Sequence, residues 1–205
     1  MRKILFLLIL PLLGYSQSEA LEMKSNTEGF SLGLTGNTLG WSSTFFTVLD
    51  DLEPSGYGLG LEAGYGFTQR LELIARFDYS SLAIENSWDY FDFSNLDLMA
   101  RFNMGSTTRK FRPYFELGAG RQAMNVSPLL LNNEVVSYEL SGVGIAYGAG
   151  LNFFITRHLL ATLNASGTLG KMQKFTVNES EPILEVADVN NFRIRLGMRF
   201  YFKDL

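Results

Sequence analysis

Residues 191–202 read Asn191-Phe192-Arg193-Ile194-Arg195-Leu196-Gly197-Met198-Arg199-Phe200-Tyr201-Phe202. Every even-numbered residue in this stretch is large and apolar, and every odd-numbered residue is Asn, Arg, Gly or Tyr. Because a β-strand sends successive side chains to opposite faces, one face of this strand is apolar and the other carries three arginines. In a soluble sheet the apolar face would lie in the core. In a membrane barrel it would face lipid, and the arginines would lie in the lumen.

The composition limits the classes of protein that this chain can form. Its 205 residues suffice for one domain with a substantial core, and 46% of them are hydrophobic and 14% aromatic. The chain has no cysteine, which excludes disulfides, thiolate metal sites, a cysteine nucleophile and a lipid anchor on an N-terminal cysteine. The formal net charge of −4 argues against nucleic acid as a partner.

The N-terminus has the pattern of an export signal. Residues 1–16 combine a charged start at Arg2 and Lys3 with an apolar core over residues 4–13, and cleavage is predicted before Gln17. A membrane-anchor helix is the alternative, but about ten apolar residues fall short of the roughly 20 that a spanning helix needs. We therefore predict a signal peptide, followed by a polar periplasmic lead-in over residues 17–28. No other long apolar run follows, so the exported chain could cross a membrane only as a closed barrel.

Residues 29–203 contain eight segments in which large apolar residues alternate with polar or small ones. These segments span residues 30–35, 57–67, 71–79, 96–102, 114–120, 142–153, 159–168 and 191–202. The links alternate too, because residues 37–54, 81–93, 121–138 and 170–190 are long and residues 68–70, 103–112 and 154–158 are shorter. Barrels with long extracellular loops and tight periplasmic turns have this arrangement. The pattern predicts an all-β fold, an eight-stranded antiparallel up-and-down transmembrane β-barrel, present as a monomer.

The two faces of the strands decide between a soluble ligand-binding barrel and a membrane barrel. Opposite the large apolar side chains, the second, fifth and sixth segments carry mainly glycine and alanine, and the third, fourth and eighth carry charges. If the apolar face pointed inward, large side chains would crowd one narrow lumen while bare glycine faced water. If it points outward, small residues face arginines across the lumen and the volumes fit. We therefore predict that outer-membrane lipid surrounds the barrel.

The inward face of this predicted barrel carries as many acids as bases. The acids are Glu62, Glu72, Asp78, Asp97 and Glu116, and the bases are Arg76, Arg101, Arg193, Arg195 and Arg199. The first and seventh segments, which flank the eighth in a closed barrel, offer no acid to its three arginines. These arginines should therefore reach across the lumen, a role that suits the bidentate guanidinium group. We predict a salt-bridged polar plug, because an unpaired buried charge is destabilising.

Motifs for catalysis or cofactor binding are weak in this sequence. The G-x-G repeats never complete G-x-G-x-x-G at the start of a helix, so we interpret them as the small inward face of strands. The single histidine, His158, lies in a predicted periplasmic turn and is interpreted as solvated, as are the acids of the long links. No histidine or cysteine cluster indicates a metal site. We therefore predict no enzyme activity, no catalytic residue, no cofactor and no metal.

The eight-strand pattern and the C-terminal segment resemble the small outer-membrane β-barrel families, broadly the OmpA/OmpX-like and OmpW-like porin-family proteins of Gram-negative bacteria. The most specific motif is a C-terminal assembly signal, a polar residue followed by glycine and two alternate aromatics. Here it comprises Arg195, Gly197, Phe200 and Phe202, although residues 203–205 follow where many members end on the aromatic. The resemblance implies the bacterial outer membrane as location and its insertion machinery as a partner. The predicted signal peptide, ending Gly-Tyr-Ser-Gln, resembles those of Bacteroidetes-type bacteria.

The expected function is non-enzymatic, a structural or surface-interaction role. An extracellular partner would bind through the loops at residues 37–54, 81–93, 121–138 and 170–190. The alternative is a narrow pore or channel for small or apolar solutes, as the OmpW-like resemblance implies. A lipid-modifying enzyme and a soluble ligand-binding barrel are two further alternatives.

Overall fold

The computed structural model describes residues 23–43, 55–82, 90–131, 134–177 and 187–202. The predicted signal peptide lies outside these residues, and so does part of each of the four predicted long loops. Within the described ranges, no helix is long and apolar enough to cross a membrane.

The described residues form eight strands. They are β1 (Gly29–Ser43), β2 (Ser55–Gly66), β3 (Leu71–Leu82), β4 (Tyr90–Asn103), β5 (Phe111–Leu131), β6 (Glu134–Phe154), β7 (Leu159–Val177) and β8 (Ala187–Tyr201). Each strand pairs antiparallel with the next, and β8 pairs with β1, so the sheet closes into a barrel. This confirms the predicted eight-stranded antiparallel barrel. We name the two ends by their links: the turn end carries residues 67–70, 104–110 and 155–158, and the loop end is opposite.

The stagger between strands fixes which side chains meet inside the barrel. The stagger is found by following directly opposite residues from each strand to the next. Starting at Met198 on β8, this path passes Leu34 on β1, continues around the sheet to Lys171 on β7, and returns to β8 at Asp188. One circuit therefore moves ten residues along β8, from 198 to 188. With a rise of about 3.3 Å per residue and strands about 4.8 Å apart, this stagger inclines the strands by about 40° to the barrel axis.

Several residues predicted to lie in loops belong to strands, so the predicted loop boundaries were wrong. These residues are 37–43, 81–82, 90–93, 121–131, 134–138, 170–177 and 187–190 at the loop end, and 103, 111–112 and 154 at the turn end. The longest strands, β5 and β6, have 21 residues each. The sequence signal is weak there because the outward face has left the apolar belt and is no longer uniformly apolar, so backbone pairing continues without a clear hydrophobic alternation.

Side-chain exposure alternates along the strands in the sense of a membrane barrel. On β3 the alternation is unbroken from Leu71 to Leu82. Outward leucines at mid-strand, such as Leu61 and Leu196, are more than 60% exposed, whereas the inward arginines are buried. Ile74 and Met99, which interrupt the alternation in the sequence, also point inward and are buried. An apolar belt therefore surrounds a polar lumen, the reverse of a soluble protein.

Candidate functional site in the barrel lumen

The ten charged residues predicted for the lumen all occupy inward-facing positions, and none is more than 5% exposed. Strand register brings several of them together, because Glu62 lies opposite Arg76, Arg76 opposite Asp97, Glu72 opposite Arg101, and Arg101 opposite Glu116. Directly opposite residues of an antiparallel pair are close enough for their side chains to interact. The ten residues divide into two clusters of zero net charge, one toward each end of the barrel.

The turn-side cluster consists of Glu62, Glu72, Glu116, Arg76, Arg101 and Arg199. At its centre two arginines each bridge two glutamates. Arg76 Nη2 lies 2.6 Å from Glu62 Oε2, and its Nη1 lies 2.8 Å from Glu116 Oε1. Arg101 Nη2 lies 3.1 Å from Glu62 Oε2 and 2.9 Å from Glu116 Oε2. Neither carboxylate depends on one arginine, and the guanidinium of Arg101 also stacks 4.1 Å from the centre of the Tyr114 ring.

Arg199 joins this cluster from across the lumen. It forms an ion pair with Glu62, and its Nη1 donates to Glu72 Oε2 at 3.0 Å. The hydroxyl of Tyr201 donates to the same oxygen of Glu72 at 2.8 Å, and Asn103 donates to the other oxygen. Three donors therefore engage the two oxygens of the buried Glu72 carboxyl group.

The loop-side cluster consists of Asp78, Asp97, Arg193 and Arg195. Arg193 lies 3.0 Å from each of the two aspartates. Arg195 forms an ion pair with Asp78, and its Nε donates to Asp78 Oδ2 at 3.0 Å. The guanidinium group of Arg195 also lies 3.7 Å from the carboxylate of Asp97. The arginines of β8 therefore do reach across the lumen, to β2, β3 and β4.

Neutral side chains on β7, which sequence reasoning did not assign to the site, also contact the clusters, and Asn164 connects the two. Asn164 accepts from Arg195 Nη1 at 2.8 Å and donates to Glu116 Oε1 at 3.0 Å. Thr168 accepts from Arg193 at 2.7 Å, and Ser166 accepts from Arg195. The alternation of β7 already places these side chains inward, so the sequence contained a signal for them.

Glycines on neighbouring strands leave space for the side chains of Asp78 and Asp97. Gly60 lies opposite Asp78, and a Cβ at Gly60 would lie 2.2 Å from the Asp78 carboxylate. Gly120 lies opposite Asp97, and a Cβ there would lie 2.5 Å from that carboxylate. Two G-x-G repeats therefore have a structural explanation, since each aspartate lies against the glycine backbone of a neighbouring strand.

The segment before β1, residues 23–28, forms a strap across the turn end of the barrel. The backbone N–H groups of Lys24 and Ser25 donate to the carbonyl oxygen of Thr107, at 2.9 and 3.0 Å. The backbone N–H group of Asn26 donates to the carbonyl oxygen of Arg157 at 3.0 Å. Thr27 donates through its hydroxyl to the carbonyl of Gln69 at 2.8 Å. The strap thus bonds to all three turns of this end. It lies within the predicted periplasmic lead-in, whose polar sequence gave no sign of these contacts.

The lumen near the loop end is lined by large apolar side chains. We call this set the apolar layer: Leu39, Trp41, Leu82, Phe93, Met124, Leu140, Met172 and Val189. All eight are buried and point inward, and they come from every strand except β2. Sequence reasoning missed them because most lie in stretches that were predicted to be loops.

The residues of the predicted assembly signal lie at the seam where β8 meets β1. Phe200 and Phe202 have ring centroids 5.0 Å apart, and Phe202 lies 5.7 Å from Phe30 of β1. A Cβ at Gly197 would lie 2.3 Å from the carbonyl oxygen of Leu34. Close packing at the seam explains these residue types structurally, and recognition by the insertion machinery stays a prediction.

Features of a catalytic or metal site are sparse in the described part of the chain. No group of three or more His, Asp or Glu side chains among the described residues could hold a metal ion. His158 lies in the turn at residues 155–158, as predicted, with its ring 6.4 Å from that of Phe200. The lumen acids are engaged with arginines, so the arrangement is suited to filling the barrel.

A closed barrel of eight antiparallel strands with an apolar exterior and a charged lumen defines a bacterial outer-membrane β-barrel protein. The sequence matches the model of the outer membrane protein beta-barrel domain over residues 6–200. The chain therefore belongs to this family, and its location is the bacterial outer membrane. A search of curated proteins found no match.

Solved structures with the same fold have low sequence identity to this chain. Neisserial surface protein A is 15% identical, with a TM-score of 0.60 over 85% of this chain and 98% of that one. OprG from Pseudomonas aeruginosa is 16% identical, with a TM-score of 0.57 over 88% and 99%. Ail, the attachment invasion locus protein of Yersinia pestis, is 19% identical, with a TM-score of 0.51 over 85% and 100%. At such identities the likeness concerns the fold alone.

Proposed function

We propose that this protein is a closed, non-conducting and non-enzymatic barrel that anchors a surface-interaction platform in the outer membrane. The observation that carries this proposal is the filling of the lumen by two neutral clusters of ion pairs, in which all ten charges have partners. A conducting pore needs a continuous water-filled path lined by accessible polar groups. The buried arginine and carboxylate groups leave no such accessible lining at mid-barrel.

Two further layers support closure. The strap bonds to the three turns at the periplasmic end, and Arg112 donates to Thr27 Oγ1 at 3.2 Å beneath it. The apolar layer lies at the extracellular end, where a hydrophobic constriction would exclude ions by dewetting. An ion would therefore meet an obstacle at three successive levels.

The unequal strand lengths are evidence for the proposed surface-interaction platform. From Arg121 to Leu131 on β5, ten residues of strand rise about 25 Å along the barrel axis at the inclination given above. β6 pairs with this extension as far as Glu134. A paired hairpin that stands clear of the apolar belt presents a rigid surface to an extracellular partner.

Conductance in planar bilayers tests the proposal. The parent protein should show no steady open state. The double variant Asp78→Ala/Arg195→Ala removes two lumen side chains without creating a net charge, and it should admit ions more readily. The matched control Lys171→Ala/Asp188→Ala removes an exposed pair 3.9 Å apart on the outer surface and should remain closed. A large, steady conductance of the parent protein would contradict the proposal.

The apolar layer favours a second candidate function, the binding or passage of a small apolar solute. Its eight side chains come from seven strands, and the remaining strand, β2, has Gly56 opposite Leu39 and Leu82 of this layer. Trp41 belongs to the layer and reports on it directly once Trp88, the other tryptophan, is replaced by phenylalanine. Saturable quenching of Trp41 by a brominated alkane would support this function, and loss of saturation in Leu39→Asn would localise the site. Quenching that rises linearly in the parent would reject it.

A further inference from the structure

Two basic side chains mark the upper edge of the apolar belt on one side of the barrel. Arg121 on β5 and Lys171 on β7 both lie directly opposite Val143 on the intervening strand β6. All three side chains point outward and are exposed. The two bases are therefore separated by two strand spacings, about 10 Å, with an apolar residue between them.

Arg121 lies at the height of the outer membrane interface, and Lys171 lies about 6 Å farther toward the loop end at the strand inclination given above. At the opposite edge of the belt, Phe111 and Phe153 pair with ring centroids 4.7 Å apart. Arg121 is ten residues from Phe111 along β5, and Val143 is ten residues from Phe153 along β6. Ten residues rise about 25 Å at this strand inclination, which is the height of the apolar band of outer-membrane barrels.

These bases are distinctive within the outward face. Among outward strand positions whose side chains the structure describes, Arg121 and Lys171 are the only Lys or Arg residues. Among the described residues, no ion pair joins Arg121 to a partner, and the only partner of Lys171 is Asp188, at 3.9 Å, with both side chains more than half exposed. Exposed pairs of this kind contribute little, so both cations can be engaged by an anion in the surrounding lipid.

The surfaces above and below the pair differ in character. Toward the membrane centre, Ile145 and Leu169 are opposite each other and are 61% and 50% exposed. Away from the membrane, β5 and β6 continue with the outward residues Asn125 and Glu139, which also lie opposite each other. A ligand bound here would contact apolar side chains on the membrane side, two cations at the interface, and polar side chains on the extracellular side.

We propose that Arg121 and Lys171 bind the phosphorylated glycolipid of the outer leaflet, lipid A, with its acyl chains on Val143, Ile145 and Leu169. The charge complementarity, the interfacial height and the apolar surface beneath the cations fit an anionic lipid. The polar outward residues above the cations, Asn125 and Glu139, favour a glycolipid over a phospholipid, because a small headgroup would not reach them.

Native mass spectrometry of the full barrel released from mixed bilayers tests this site. Bilayers of phosphatidylcholine contain a small fraction of either lipid A or phosphatidylglycerol, and the lipid-bound fraction is measured. Arg121→Gln/Lys171→Gln should weaken lipid A binding about 25-fold, at about fivefold for each charge near the membrane surface. The matched control Arg109→Gln/Lys110→Gln removes two exposed charges at the periplasmic turn and should change it less than twofold.

A third variant tests the same site with the opposite sign. Asp188→Asn removes the acid nearest Lys171 and should strengthen lipid A binding severalfold. Since the substituted side chains are exposed, unchanged heat-modifiable migration in detergent gels verifies that each variant is folded. Equal losses in the Arg121/Lys171 and Arg109/Lys110 variants, an equal loss for phosphatidylglycerol, or no loss for lipid A would each overturn the proposal.

Discussion

Replacing Asp78 with asparagine should destabilise the barrel severely, because the loop-side cluster would keep two arginines and only one acid. Asp78 lies 3.0 Å from Arg193 and forms a second ion pair with Arg195. Without it, Arg193 retains Asp97 at 3.0 Å, whereas Arg195 has an acid only at 3.7 Å. The cluster changes from zero net charge to one buried positive charge.

The magnitude follows from the burial of this cluster. Removing one partner of a buried ion pair costs about 3–5 kcal/mol, because the remaining charge is uncompensated in a low dielectric. Asn164 and Ser166 continue to accept hydrogen bonds from Arg195, so we expect the lower half of that range. Removing both partners in Asp78→Asn/Arg195→Gln restores neutrality, leaves the Arg193–Asp97 pair, and should recover most of the lost stability.

Equilibrium unfolding in urea, with the barrel folded in lipid vesicles and tryptophan fluorescence as the signal, measures these differences. The control Lys171→Gln breaks the exposed pair with Asp188 and should cost at most about 1 kcal/mol. The reasoning is refuted if Asp78→Asn costs no more than this control. It is also refuted if the double variant is less stable than Asp78→Asn alone, since the cost would then not come from an unpaired charge.

Two further predictions concern glycines. Gly60→Ala should cost about 1–3 kcal/mol in the same assay, since its Cβ would lie 2.2 Å from the Asp78 carboxylate, whereas Gly40→Ala, with nothing within 4 Å, should have little effect. Gly66→Ala should loosen the strap, because its Cβ would lie 1.7 Å from the carbonyl oxygen of Thr27. Hydrogen exchange of the strap amides should then accelerate while the strand amides stay protected, and unchanged strap exchange would contradict this contact.

The fold could be predicted from the sequence wherever one face of a strand meets lipid. On β3 and β8 the apolar alternation predicted the strands, their outward faces and the closed barrel, because lipid imposes a period of two on the sequence. The same logic failed beyond the belt. Residues 121–131 of β5 remain paired with β4 or β6, but there neither face is uniformly apolar, so they were predicted to be loop.

The candidate site could be predicted in its members but not in its pairings. Alternation identifies Arg195 and Asp78 as inward residues, but their contact depends on the ten-residue stagger of the barrel, which no single strand encodes. The strap was missed for a different reason. Its hydrogen bonds use mainly backbone groups of three turns, and backbone groups leave no trace in residue identity.

The arginines of β8 have a consequence for how the barrel closes. β8 is bonded through its backbone to β1 and β7, and neither strand offers an inward acid. Its arginines pair instead with Glu62, Glu72, Asp78 and Asp97 on β2, β3 and β4, which are brought near only when the sheet has curved into a closed cylinder. An open sheet would leave acids and bases at its opposite ends unpaired, in a lipid environment that penalises them. The charge pattern therefore favours closure over an open intermediate, independently of the hydrogen bonds at the seam between β1 and β8.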